Sequence, residues 1–223
     1  MADDARRRAF WGVVPLAKRR QDAVVEVQRR RLLAGMTAAA AQRGFANATV
    51  EDALRDAGVS RKTFYELFRN KEECFLAAYE VGHLALIEAV QNAQRGVKVP
   101  LERIRAAHGA LLQFLSDHPD VSGAFFVGIR SAGERASARR LRAHEEFAEM
   151  HRMLHKRCRE FFPNLPELPN EAFLALVGGI NKIVTSEIEA EHTDRLPTLL
   201  PVVMYLVLSV YGLQEAARAE LKK

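Results

Sequence analysis

Residues 49–72 read TVEDALRDAGVSRKTFYELFRNKE, and they are the most informative part of the sequence. On both sides of Gly58, apolar residues recur every three or four positions, which is the spacing of one face of a helix. Glycine readily adopts the left-handed backbone of a tight turn. The stretch therefore predicts a short helix over 50–57, a turn at Gly58 and a second short helix over 61–67.

The outer face of the second helix is left with polar side chains, and these carry the chemistry. A helix-turn-helix places its second helix in the DNA major groove. The helix N-terminus attracts phosphate, and Arg and Lys reach guanine edges or phosphates. The sequence therefore predicts contacts with double-stranded DNA from Ser60, Arg61, Lys62, Thr63 and Tyr65.

The charge distribution agrees with a polyanion partner for the first third of the chain. The protein has 223 residues and a formal net charge of +5. Residues 1–74 carry 15 Lys and Arg against 10 Asp and Glu, whereas the remainder carries 18 of each. The whole excess thus lies around the helix-turn-helix, as expected where a protein meets nucleic acid.

The same residues resemble the tetracycline-repressor (TetR) family of bacterial regulators. The resemblance rests on Gly58-Val59-Ser60, Thr63-Phe64-Tyr65, Phe68 and Lys71-Glu72, preceded by Gly44-Phe45 and Thr49. It covers about residues 25–86. It implies a homodimer with a buried ligand pocket, in which an inducer weakens DNA binding. It also implies phosphate contacts from Thr49, Tyr65 and Lys71, and groove contacts from Arg61, Lys62 and Thr63.

Helical periodicity runs through the rest of the chain, and strand signals are nearly absent. We therefore predict an all-α fold: a three-helix DNA-binding domain over 25–72, followed by a helical ligand-binding and dimerisation domain over 73–223. A basic extension over 1–24 precedes them. The predicted helices are 21–43, 50–57, 61–67, 71–95, 101–116, 120–131, 134–162, 170–191 and 198–219.

The middle helices carry large apolar residues, interspersed with polar ones, that could line a ligand cavity or form an ordinary core. A buried polar residue needs a partner, and a ligand is one such partner. The candidates for contacting a small, mostly apolar effector are Phe114, Phe126, Arg130, Phe147, Met150, His151, Leu154, Phe173, Val177 and Asn181.

A second hypothesis for the same fold is a metal- or redox-sensing regulator. His151, His155 and Cys158 fall on one stripe of a helix, and a His pair four residues apart can share a metal ion. No acidic residue in the neighbouring sequence completes such a set, and a pocket rim or subunit contact explains the stripe equally well. We therefore predict no bound metal and no cofactor.

Helices 170–191 and 198–219 are predicted to form the dimer interface. Gly178-Gly179 weakens a helix unless another helix packs closely against it, and 196–214 contains no charged residue. That stretch is broken by prolines, so a buried or subunit-interface helix explains it better than a membrane span. The chain also contains no phosphate loop and no catalytic zinc motif, so we predict a regulator and not an enzyme. Its two cysteines, Cys74 and Cys158, suit a reducing compartment, so we predict a cytoplasmic protein.

Overall fold

The computed structural model describes residues 20–222, and within them every regular element is a helix. The all-α prediction is confirmed. The α-helices are α1 (Arg20–Asn47), α2 (Val50–Ala57), α3 (Arg61–Leu67), α4 (Lys71–Ala93), α5 (Pro100–Asp117), α6 (Pro119–Ser122), α7 (Glu134–Phe161), α8 (Asn170–Glu189), α9 (Leu200–Tyr211) and α10 (Gln214–Glu220). Most of the predicted basic extension, 1–19, lies outside the described residues.

Helix α1 is interrupted near its end, where the sequence predicted a stop. Gly44 has φ 72° and ψ 151°, and one more turn of helix follows it. Further back, a Cβ on Gly35 would lie 2.4 Å from the carbonyl oxygen of Ala53. Because no side chain separates them, the backbones of α1 and α2 touch at this point, and this contact sets how closely the two helices approach.

The predicted helix over 120–131 is wrong in its form. After α6 the chain makes one π-helical stretch, Gly123–Val127, and then a 3-10 stretch, Gly128–Ser131. The two glycines let this segment approach α1, since a Cβ on Gly123 would lie 3.3 Å from Ala41 Cβ and one on Gly128 would lie 3.3 Å from the Ala40 oxygen.

The prediction of one helix over 198–219 is also wrong in form, because three separate helical elements are found there. A 3-10 stretch, Thr193–Leu199, leads into α9, and α10 follows after Gly212, whose φ of 89° ends α9 with a left-handed residue. By length and composition, Thr193–Tyr211 could cross a membrane. Its α-helical part has only 12 residues, however, which corresponds to about 18 Å of rise.

The chain divides into two compact units, and each is discontinuous in sequence. Among the described residues, the first unit contains 20–84 and 117–137, and the second contains 85–116 and 138–222. The core of the first unit includes Leu32, Met36, Phe64 and Phe75, all fully buried. The predicted functional boundary at 72 falls next to the start of α4, which continues unbroken to Ala93.

Candidate DNA-binding surface

The first helix of the motif begins at a reciprocal cap. The side chain of Thr49 accepts a hydrogen bond from the amide of Asp52, and the carboxylate of Asp52 accepts one from the amide of Thr49 at 3.0 Å. Asp52 is buried, and Arg43 and Arg55 lie 3.5 Å and 3.2 Å from it. The hydrogen bonds from Thr49, followed by the two arginines, lower the pKa of Asp52.

The predicted turn at Gly58 is present, and a second helix cap follows it. Gly58 adopts left-handed geometry, with φ 60° and ψ 35°, and its amide donates to the Leu54 carbonyl. Ser60 then caps α3, because its hydroxyl accepts from the amide of Thr63 at 3.1 Å. The hydroxyls of these two residues also lie 2.9 Å apart.

Aromatic packing on the inner side of α3 fixes its rotation about its own axis. Phe64 is fully buried, and its ring centre lies 5.7 Å from that of Phe68. Tyr65 is the next residue along and is 49% exposed. Burying Phe64 and Phe68 therefore turns the opposite side of the helix, with its polar residues, to solvent.

The outer face of α3 presents the long donors predicted from the sequence. The side chains of Arg61 and Lys62 are 64% and 87% exposed, and each pairs with an acidic neighbour: Arg61 with Glu51 on α2, and Lys62 with Glu66 one turn on at 3.8 Å. The guanidinium of Arg61 also lies 5.7 Å from the centre of the Tyr65 ring. Exposed ion pairs of this kind contribute little stability, so they exchange easily for DNA phosphates.

Lys71 begins α4, as predicted, but it makes internal hydrogen bonds that the sequence did not predict. Its ammonium donates to the carbonyl oxygens of Phe45 and Ala46 at 3.0 Å and of Ala48 at 2.8 Å, and it lies 4.6 Å from the centre of the Phe45 ring. An ammonium has three N–H groups, so all three are used inside the protein. Lys71 thus ties the start of α4 to the end of α1, directly before Thr49.

Sequence reasoning missed Glu51 as a partner of Arg61. The two residues are ten positions apart, so their contact depends on how α2 crosses α3 and not on a helical repeat. The internal bonds of Lys71 were missed for a similar reason, since their acceptors lie 23 to 26 positions away.

The residues proposed to contact an effector divide between the two units. Phe126 and the exposed Arg130 belong to the first unit. The other eight belong to the second, where His151, Leu154, Phe173 and Val177 are buried and Phe114, Phe147, Met150 and Asn181 are half-buried.

The alternative site at His151, His155 and Cys158 has all three residues buried on α7. In the described part of the chain, no group of three His, Cys, Asp or Glu is placed to hold a metal ion. Burial raises the pKa of the Cys158 thiol to about 11, so the reactive thiolate is scarce at neutral pH. The metal- or redox-sensing hypothesis therefore gains no support from the geometry.

The helix-turn-helix region can also be compared with known proteins. Residues 32–78 match the family model for bacterial regulatory proteins of the tetR family. The chain carries a TetR-family DNA-binding region. The matched range runs from the middle of α1 into α4, and it contains all seven of the side chains predicted to contact DNA.

Solved structures with a TetR-like fold resemble the chain over most of its length. The fatty acid degradation regulator FadR from Bacillus halodurans has a TM-score of 0.74 at 16% identity, over 81% of this chain and 94% of that one. FadR from Bacillus subtilis, solved in complex with stearoyl-CoA, has a TM-score of 0.72 at 14% identity, over 81% and 97%. A transcriptional regulator from Rhodococcus sp. RHA1 has 0.64 at 21%, over 81% and 96%.

These identities are low, and the structural likeness establishes the fold alone. In a comparison with curated protein sequences, none matched the chain. The TetR-family assignment therefore rests on the family model, which matches residues 32–78.

Proposed function

We propose that this TetR-family regulator is a repressor that binds a pseudo-palindromic operator as a homodimer and is released by a small, mostly apolar effector. The observation that supports the proposal is the capped N-terminal end of α3. Arg61, Lys62 and Tyr65 are exposed there, while Phe64 on the same helix is buried and fixes the orientation of the helix. A helix end with free amides and long cationic donors suits the major groove.

The proposed contacts fall into two kinds. Arg61, Lys62 and Thr63 read base edges, while Thr49 and Tyr65 hold phosphates on either side of the groove. Ser60 shapes the end of α3 through its cap. Lys71 contributes a phosphate contact only to the extent that it gives up a carbonyl, so its main part in DNA binding is to position α2.

The proposed dimer joins through α8 and α9. Val202 and Tyr205 lie one turn apart on α9 and are 43% and 38% exposed. On α8, a Cβ on Gly178 would meet nothing within 4 Å, whereas one on Gly179 would lie 3.4 Å from Leu206. A second copy packed against Gly178 would explain a helical glycine that the chain itself leaves uncovered. Two recognition helices would then lie about 34 Å apart, one turn of DNA.

The proposed effector binds in the domain 73–223 and favours one of two arrangements of the dimer, which changes the affinity for the operator. The stearoyl-CoA bound to FadR of Bacillus subtilis makes long apolar chains one class to try first. Binding of this kind needs only a difference in effector affinity between the two arrangements.

The test is a selection of genomic fragments by the purified full-length protein, followed by footprinting at physiological salt. We expect one protected palindrome, with two half-sites a helical turn apart. Binding that is salt-sensitive but protects no site would leave a general DNA-binding protein. If no fragment is retained, with or without added stearoyl-CoA, the proposal fails.

A further inference from the structure

Four polar side chains of the second unit are enclosed among apolar ones. His108 on α5, His151 and His155 on α7, and Tyr211 at the end of α9 are each exposed by 5% or less. We call these four residues the histidine cluster. Their rings are adjacent: His108 lies 5.2 Å from His151, and His155 lies 4.9 Å from Tyr211, between ring centres.

Hydrogen bonds fix which nitrogen of His108 and of His151 carries the proton. Nδ1 of His108 lies 2.8 Å from the carbonyl oxygen of Ile104, which only accepts, so Nδ1 donates. The Tyr211 hydroxyl donates to the carbonyl of His151 at 2.9 Å, so its oxygen accepts from Nδ1 of His151 at 3.0 Å. A neutral imidazole has one N–H. Nε2 of both rings is therefore a bare acceptor.

The third histidine, His155, has an enclosed nitrogen without a partner. Burial first, and Arg159 second, lower the pKa of His155. Nε2 of His155 is fully enclosed and makes no hydrogen bond.

Nε2 of each of the three rings makes no hydrogen bond within the described residues. Nε2 of His155 is enclosed without one, and the hydrogen bonds of the His108 and His151 rings are those made by Nδ1. Burial also lowers the pKa of both rings, that of His151 strongly and with help from His108, so they are neutral at pH 7. Buried polar atoms are nearly always hydrogen-bonded. The enclosed Nε2 of His155, with the two bare acceptors of His108 and His151 in the same cluster, therefore calls for a further group.

We propose that the histidine cluster is the polar anchor of the effector site, and that it takes a hydroxyl or N–H group carried by an otherwise apolar molecule. The inference rests on the proposed effector response. Phe173, whose ring centre lies 5.7 Å from that of His155, and the Tyr211 ring supply apolar surface beside the acceptors. A carboxylate, ester or ether brings only acceptors to the cluster, so it is rejected.

The first experiment compares matched pairs of probes that differ in one donor hydrogen: phenol and anisole, 1-naphthol and 1-methoxynaphthalene, 1-dodecanol and dodecyl methyl ether. Binding to the full-length protein is measured by titration calorimetry. In at least one pair we expect the hydroxyl compound to bind tighter by about tenfold or more, because its partner leaves buried acceptors unpaired. Equal affinity within every pair, or no binding by any hydroxyl compound, overturns the inference.

A variant tests whether the histidine cluster causes the preference for the hydroxyl compound. His155→Phe keeps a ring and removes the enclosed nitrogen, so the hydroxyl preference should fall while the melting temperature stays or rises. His192→Phe makes the same exchange at an exposed histidine and should leave the preference as in the wild type. A preference that survives His155→Phe contradicts a role for that residue.

The tautomers give a readout that needs neither a ligand nor a folded variant. In long-range ¹⁵N–¹H NMR spectra of the wild-type protein at pH 7, the rings of His108 and His151 should be neutral, with the proton on Nδ1. A proton on Nε2 of either ring overturns the proposal. Operator binding is measured separately: a protein that binds its operator but shows no hydroxyl preference disproves this inference alone, and one that shows the preference without an operator disproves only the proposed repressor.

Discussion

At the scale of single residues, Tyr65 and Lys62 should differ in what their loss does to DNA binding. Tyr65→Phe removes one hydroxyl from an exposed ring and, with it, a proposed phosphate contact. Affinity should fall by roughly fivefold, the equivalent of about 1 kcal/mol, and by a similar factor for every operator variant. A set of operators with single base changes, titrated by fluorescence anisotropy, measures this. A changed base preference would contradict the assignment.

Lys62→Ala serves as the counterpart on the same helix. We expect it to alter the preference at one or two base positions, since Lys62 is proposed to face the groove. If it instead lowers affinity uniformly and reduces the slope of affinity against salt by about one ion, Lys62 holds a phosphate.

The family resemblance implies a phosphate contact from Lys71, whereas in the structure its ammonium donates to three main-chain carbonyls. Lys71→Met leaves three carbonyls at the end of α1 without their charged donor, so we expect the free energy of unfolding to fall by about 2 kcal/mol. Urea denaturation measures it. Lys62→Met, the same exchange at a side chain that is 87% exposed, should change it by less than about 0.5 kcal/mol. Equal effects of the two changes would show that the bonds of Lys71 do not stabilise the fold.

At the scale of helices, the crossing of α1 and α2 depends on the missing side chain at Gly35. Gly35→Ala puts a methyl group 2.4 Å from the Ala53 oxygen, and since backbone must move to make room, we expect a loss of about 1–3 kcal/mol and weaker operator binding. Gly109→Ala is the control, because a Cβ there lies 3.7 Å from Leu200. That change should be neutral or stabilise by up to about 1 kcal/mol. Chemical denaturation of both variants measures the two free energies of unfolding. If the Gly35→Ala protein is as stable as the control, the crossing of α1 and α2 tolerates a side chain.

The helices also show how far sequence reasoning reaches. The limits of α2 and α3 follow from residues inside the motif, namely Thr49, Gly58 and Ser60, so local rules predict them. The path of 123–131 depends on packing against α1, which a periodic pattern does not contain. The glycine at position 212 indicates the end of a helix, but the apolar run before it favours one long helix over 198–219. The exposed donors of α3 also follow from the local sequence. The contacts of Arg61 with Glu51 and of Lys71 with Phe45 do not, because they depend on the tertiary packing of the helices.

At the scale of the whole molecule, the dimer is open to a direct test. If Gly178 packs against a second copy, Gly178→Ala should weaken self-association by roughly tenfold, although the chain alone has room for the methyl group. Sedimentation equilibrium measures it, with Gly109→Ala as the matched helical control. A Gly178→Ala protein that dimerises like the wild type places the interface elsewhere.

Stability should also depend on pH through the histidine cluster. The folded rings of His108, His151 and His155 stay neutral below their ordinary pKa, because burial lowers it, while the unfolded rings take up protons below about pH 6.5. The unfolded state thus binds more protons, so stability falls as the pH is lowered from 7 to 5. Each ring contributes a slope approaching about 1.4 kcal/mol per pH unit. Urea denaturation at several pH values measures it, and His155→Phe should reduce the slope. A slope that is unchanged in that variant would mean that His155 is already charged when folded.

The return of 117–137 to the first unit has a consequence for how the protein is made. The residues of the helix-turn-helix leave the ribosome long before 117–137, and until that segment arrives Phe75 and Tyr79 lack Phe125, whose ring centre lies 6.0 Å and 5.1 Å from theirs. Domains complete their folding as units during synthesis, so the DNA-reading half matures only after 85–116 has also been translated. A fragment cut after residue 84 would keep its recognition helix and expose the apolar side that this late segment covers.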